Sequence, residues 1–310
     1  MKKLFIVLFA AAVFANISSA YNYICGQSKS SAYEVNDGIW SKLQWTLDEY
    51  AQPGKAKIEP KGPGPRDDAT IRNRWRVKVD QDVKVNNFRL ETINNVWFEP
   101  GKTLETRKDL IIRLVLMGDN FIEFKGGKAV IGGNIDMSNR DMDSTLGTAG
   151  VRLIDSQMTA RGSIIAAIRA AEFKQMSKPG GITLYLEGKS SLIAGGDLLA
   201  DLQYQKYADR IGFNIVFKEK DGNIPMLSFN GGDFSPCKFL LDIKNAAKGK
   251  YPLICLSDKK STVEKLLSLT VNGKKVKVGE EFKVGDTVGS LNFDSGDKDK
   301  NKNDLVLEVK

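Results

Sequence analysis

The sequence predicts an all-β chain wound as a right-handed parallel β-helix, and three observations lead there. Short segments alternate apolar with other residues, which is the two-residue period of strands: Val77 to Val79, Phe88 to Leu90, Ile122 to Phe124, Val151 to Leu153, Leu184 to Leu186, Ile215 to Phe217 and Leu305 to Leu307. A motif recurs, with an apolar strand end, a tight turn rich in Gly and Lys, and an apolar residue six positions on. It runs Phe98 to Leu104, Phe124 to Val130 and Leu186 to Leu192. The anchors Phe98, Phe124, Leu186 and Phe217 stand 26, 62 and 31 positions apart, so the middle interval spans two repeats.

A unit of that size cannot bury its apolar face alone and has to stack on its neighbours. Gly132-Gly133-Asn134, Gly195-Gly196-Asp197 and Gly231-Gly232-Asp233 suit the corners, where φ is often positive. The uneven period points to loop and helix excursions, with Ile164 to Met176 the best helical candidate and Thr262 to Leu267 a weaker one. The alternative architecture is a β-sandwich, which yields similar strands and turns.

Residues 1–20 read as a signal peptide. Lys2 and Lys3 precede an apolar run from Leu4 to Phe14, and Ser18-Ser19-Ala20 supplies the small residues for cleavage after Ala20. Asn22-Tyr23-Ile24 ahead of Cys25 lacks the small residue of a lipoprotein signal. No later stretch reaches the ~20 apolar residues of a membrane helix, so a membrane-spanning protein is not expected. Residues 21–66 differ in composition and form a candidate N-terminal cap, in which Trp40 and Trp45 cover the open end of the first coil. Around Leu43 to Tyr50 this segment is helix-compatible. Residues 67–310 form the solenoid.

The formal charge is +8, or +6 without Lys2 and Lys3, and the basic residues are scattered among 38 acidic ones. That distribution and the export signal argue against a nucleic-acid partner. The chain has no histidine, which removes Ser-His-Asp and Cys-His catalysis and His-ligated zinc. The three cysteines lack Cys-x-x-Cys spacing. In an oxidising compartment Cys237 and Cys255 are candidates for a disulfide that leaves Cys25 over; buried thiols on strands are the other reading.

Carboxylate chemistry survives the lack of histidine. Asp136, Asp141 and Asp143, with Arg140 and Asn139, form a loop cluster that could serve acid–base cleavage of a glycosidic bond or hold Ca²⁺; a solvated loop is the plainer reading. No other cofactor is indicated. Asp294, Asp297, Asp299 and Asp304 are interleaved with Lys298, Lys300 and Lys302 and read as an exposed turn. Trp75, Trp97, Tyr185, Tyr204 and Tyr207 could form a sugar-stacking platform on the solenoid wall, although core packing is the commoner fate of such rings. The polar segment Asp201 to Arg210 reads as a loop excursion, and its Tyr204, Tyr207 and Arg210 are the preferred ligand-binding residues.

Pro63 to Leu110 resembles the opening coils of the autotransporter-like, β-strand-repeat surface proteins of bacteria. The features that match are Trp40 and Trp45, Pro65, Asp67 to Ile71, Val77 to Asp80 and Gly101 to Leu104. Gly249 to Ile254, Leu269 to Gly273, Leu291 to Asp297 and Asn303 to Leu307 resemble closing coils of passenger domains in the same group. No membrane β-barrel and no sorting segment follows Leu307, so a self-translocating protein is not expected. The resemblance implies a secreted or cell-surface, structural or adhesin-like solenoid without catalytic activity. Its partner would be an extracellular polysaccharide or an envelope protein, and the alternative is a β-helix polysaccharide lyase or hydrolase.

Overall fold

A computed structural model describes residues 21–25, 36–47, 58–59, 62–72, 75–91, 94–113, 119–138, 148–168, 180–202, 211–258, 261, 263–294 and 303–310. From Asp68–Ile71 to Met226–Phe229 the chain visits three sheets in strict rotation, so each coil up to Leu202 lays one strand on each of three walls. The first wall runs from Trp75–Val79 through Asn95–Phe98, Asp119–Lys125, Thr148–Ile154, Gly180–Glu187, Ile211–Lys218 and Cys237–Asp242 to Ser268–Val271, every pair parallel. The second wall holds Val83–Val85 to Gly249–Leu256, and the third holds Asp68–Ile71 to Leu198–Leu202. This is a parallel β-helix, not a sandwich.

Strand alternation places every second side chain inside, where a column on the first wall forms the spine of the core. Val79, Phe98, Phe124, Leu153, Leu186, Phe217, Leu241 and Val271 pair in register from coil to coil, and all are buried. Leu153 occupies the coil that the 62-residue interval between Phe124 and Leu186 implies. Phe98 and Phe124 stack with centroids 4.3 Å apart.

Four expectations about the coils need correction. Leu104 pairs with Ala129, and Val130 faces outward beside Glu105, because the turn after Phe124 is one residue shorter than the turn after Phe98. A one-residue slip exchanges inside for outside. Ile164–Ile168 is a strand of the third wall, bound between Ile135–Asp136 and Leu198–Leu202; that pairing overrides the helix preference of its alanines, and 169–176 lie outside the described residues. The described part of Thr262 to Leu267 is a turn. Parallel coiling also stops before the C-terminus. Glu281–Val284, Thr287–Asp294 and Asp304–Val309 form an antiparallel meander on the edge of Gly249–Leu256, where Asp304 is buried and accepts the amide of Leu256 at 2.7 Å.

At the other end the N-terminal segment both covers and extends the coils. Asn22–Cys25 pairs in parallel with Asp68–Ile71, and Asn36–Ile39 with Trp75–Val79. A 3₁₀ turn at Trp40–Lys42 and a strand at Trp45–Leu47 take the place of the helix-compatible reading. Trp40 stacks on Phe88 at 5.6 Å and meets Trp45 edge-on at 4.8 Å, closing the core with two buried indoles. No helix among the described residues is long and apolar enough to cross a membrane.

Cys237 and Cys255 do not bridge; both are buried cysteines outside any disulfide, as is Cys25. Cys237 points inward from the first wall with Phe239 and Leu241. Cys255 sits on the second wall opposite Ser228, on the face opposite its inward neighbours Ile254 and Leu256. Burial alone raises the Cys25 thiol to about 12, and burial is the largest cause raising Cys237, so neither is a thiolate near neutrality.

Candidate binding wall

The inward residues of the first wall dictate what faces out. The residue before each core anchor falls into one outward column, Lys78, Trp97, Glu123, Arg152, Tyr185, Val216 and Leu240, in register on successive coils. Beside it runs a second column, in which Asn95, Phe121, Gly150 and Thr183 follow one another. Three rings and one guanidinium therefore gather on neighbouring rungs.

Arg152 is the centre of this strip. Its guanidinium carbon lies 5.6 Å from the Phe121 ring and 5.3 Å from the Tyr185 ring, and its Nη1 donates to Glu123 at 3.1 Å. Two ring faces and a carboxylate hold the group in place. Gly150 is needed for this arrangement: a Cβ there would come 2.4 Å from Cε1 of Phe121, so only glycine lets that ring lie against the wall. The Tyr185 hydroxyl donates to Glu187 at 2.5 Å; burial first, and then this bond to a carboxylate, hold the phenol well above its usual range. Lys125 bonds the other oxygen of Glu123 at 2.9 Å, and Lys218 reaches Glu187 at 3.5 Å. A groove of about 380 Å³ opens between Asn95, Trp97, Asp119, Phe121, Glu123 and Arg152.

The loops around this wall follow a rule. Connections from the second to the third wall hold two residues at 86–87 and three at 107–109, 132–134, 161–163 and 195–197. Connections from the third to the first grow from three residues at 72–74 through 91–94 and 113–118 to eleven at both 137–147 and 169–179, followed by 203–210. Every long excursion among the coils from Asp68 to Leu202 thus leaves the corner that borders the aromatic strip.

Of the residues singled out from sequence, Trp97 and Tyr185 stand on this strip. Trp75 lies on the same sheet and packs against the core cluster. Asp136 is on the outer side of the third wall, between Ile111 and Ile165. Asp141, Asp143, Tyr204, Tyr207 and Arg210 lie outside the described residues, in two connections that start from the same corner. Among the described residues no three metal-ligating side chains come together. A second depression, of about 540 Å³, lies on the third wall beside Ile165, Leu199, Asp201 and Asp233.

Phe121, Glu123 and Arg152 were not singled out from sequence. Their signal was present, since each occupies an outward position of a strand whose inward positions were already identified. Comparison with family models, with curated proteins and with solved structures finds no match to this chain.

Proposed function

We propose that this protein is an exported, non-catalytic binding solenoid of the cell surface that holds a polysaccharide along the outer face of its first wall. The observation that supports this reading is the strip of Trp97, Phe121, Arg152 and Tyr185, in which partly exposed rings and a fixed guanidinium stand on consecutive coils. Rings placed on a rigid sheet lose little conformational freedom on binding and offer flat faces to sugar rings. Export rests on the leader-like residues Lys2 to Ala20.

The test is retardation of purified residues 21–310 in gels cast with individual polysaccharides. Trp97→Ala and Tyr185→Ala should each weaken binding at least about tenfold, ~1.4 kcal/mol, with an unchanged melting curve. Release of reducing ends or unsaturated products, abolished by Asp141→Asn with Asp143→Asn, would replace this reading with that of a carboxylate-dependent hydrolase or lyase.

A further inference from the structure

We infer that the occupant of this strip is a neutral polysaccharide with its chain along the solenoid axis, an inference that rests on the binding role proposed above. The argument is one of charge. Lys78 pairs with Glu99 at 2.9 Å, Lys125 and Arg152 share Glu123 at 2.9 and 3.1 Å, and Lys218 meets Glu187 at 3.5 Å. Each of these cations already faces a carboxylate on the same wall. Glu123 and Glu187 are the more enclosed partners, with side chains 17% and 15% exposed, and they stand beside the rings where a ligand would lie. A uronate or sulfate placed there would meet a fixed carboxylate within the same few ångströms. A neutral sugar meets no such opposition, because its hydroxyls can donate to Glu123 and Glu187 and accept from Arg152 and Lys125.

The direction follows from spacing. Trp97, Glu123, Arg152 and Tyr185 occupy successive coils, and strands in a sheet are ~4.8 Å apart, so Trp97 and Tyr185 are separated by about 14 Å along the axis. A pyranose unit is about as long as one such step. A chain lying along the axis therefore offers one sugar to each coil, with a ring face at both ends and hydrogen-bonding side chains between them. A chain lying across the wall would meet only one coil and one ring of this column.

The experiment is titration calorimetry of residues 21–310 with soluble neutral glucans and mannans, and with polygalacturonate and alginate, at about 50 and about 500 mM salt. A neutral glycan should bind with an affinity that changes less than about twofold between the two salts, because few ions are released. Trp97→Ala should weaken it at least about tenfold, and Glu123→Gln should weaken it without making binding salt-sensitive. Binding only to the polyuronates, falling steeply with salt and still lost in Trp97→Ala, would overturn the neutral ligand and leave the wall as the site. No binding to either class, or binding that Trp97→Ala and Tyr185→Ala both leave unchanged, would overturn the wall itself.

Discussion

Two corners of the same coils have opposite characters. Where the second wall turns into the third, the connections from 107–109 to 195–197 keep a length of three residues, and each is bonded to the next. The amide of Asn134 donates to Asp109 at 2.7 Å, that of Ser163 to Asn134 at 2.8 Å, and that of Asp197 to the Ser163 hydroxyl at 3.1 Å. Glycine belongs here for a steric reason, since a Cβ on Gly132 would lie 2.2 Å from the carbonyl oxygen of Arg107. Where the third wall turns into the first, a similar ladder joins Trp75 to Asn94 and Asn94 to Asn120, and there it ends: Ala149 takes the next rung. Beyond Asn120 the connections lengthen to eleven residues. At the second-to-third corner a change of length would carry Asp109, Asn134 and Ser163 away from the amides they accept from and leave those amides unpaired. Among the described residues the third-to-first corner beyond Asn120 lacks that ladder, and the eleven-residue connections start there.

The largest expected effect tests the core that both corners enclose. Phe124→Ala should lower stability by ~3–5 kcal/mol in urea unfolding, because Phe124 is fully buried against Phe98 and the rigid coils cannot close the space. A loss below about 1 kcal/mol would mean that the column is not the spine of the fold.

Next comes the contrast itself. Asn134→Ala removes the acceptor of the Ser163 amide and should cost ~1–3 kcal/mol, whereas deleting two residues within 139–147 should cost less than about 1 kcal/mol. Equal costs by thermal or urea unfolding would remove the distinction between the corners.

The smallest effect belongs to the first-to-second corner. Asp155, at φ 47°, accepts from Lys220 at 2.6 Å and from the amide of Lys189 at 3.1 Å, and the Lys220 bond holds its carboxyl below the usual range. Asp155→Asn keeps a residue that tolerates this backbone and should cost under about 1 kcal/mol, since Asp155 and Lys220 are 37% and 40% exposed. A lowered pKa in the fold gives stability that is present above the unfolded value near ~3.9 and lost as pH falls through the folded value. The gap between the two proteins should therefore narrow below about pH 4, and a gap that widens there would reject the ion pair.

The sequence carried the solenoid in its anchors, because an inward column needs large apolar side chains at every coil and spacing exposes them. It hid the missing coil only because Leu153 leads into a turn, Asp155 and Ser156, that lacks the Gly-Lys signature. The slip at Val130 arose from a turn one residue shorter, and the strand at Ile164–Ile168 from pairing partners far away in sequence. Cysteine spacing in sequence said nothing of which face each thiol occupies. Titration of the denatured chain should accordingly find three free thiols; a single one would restore the Cys237–Cys255 bridge. Of the candidate site, Trp97 and Tyr185 were legible as rings, while Arg152 became a site residue only once register placed it between Phe121 and Tyr185.

Hydroxyl-radical footprinting with a bound glycan tests the binding wall most directly. Trp97, Phe121 and Tyr185 should be oxidised less in the complex than in the free protein, while Ile193 on the second wall and Leu199 on the third, 41% and 48% exposed, should be oxidised equally in both. Protection at Ile193 or Leu199, with Trp97 and Tyr185 oxidised as in the free protein, would place the ligand on another wall and contradict the account.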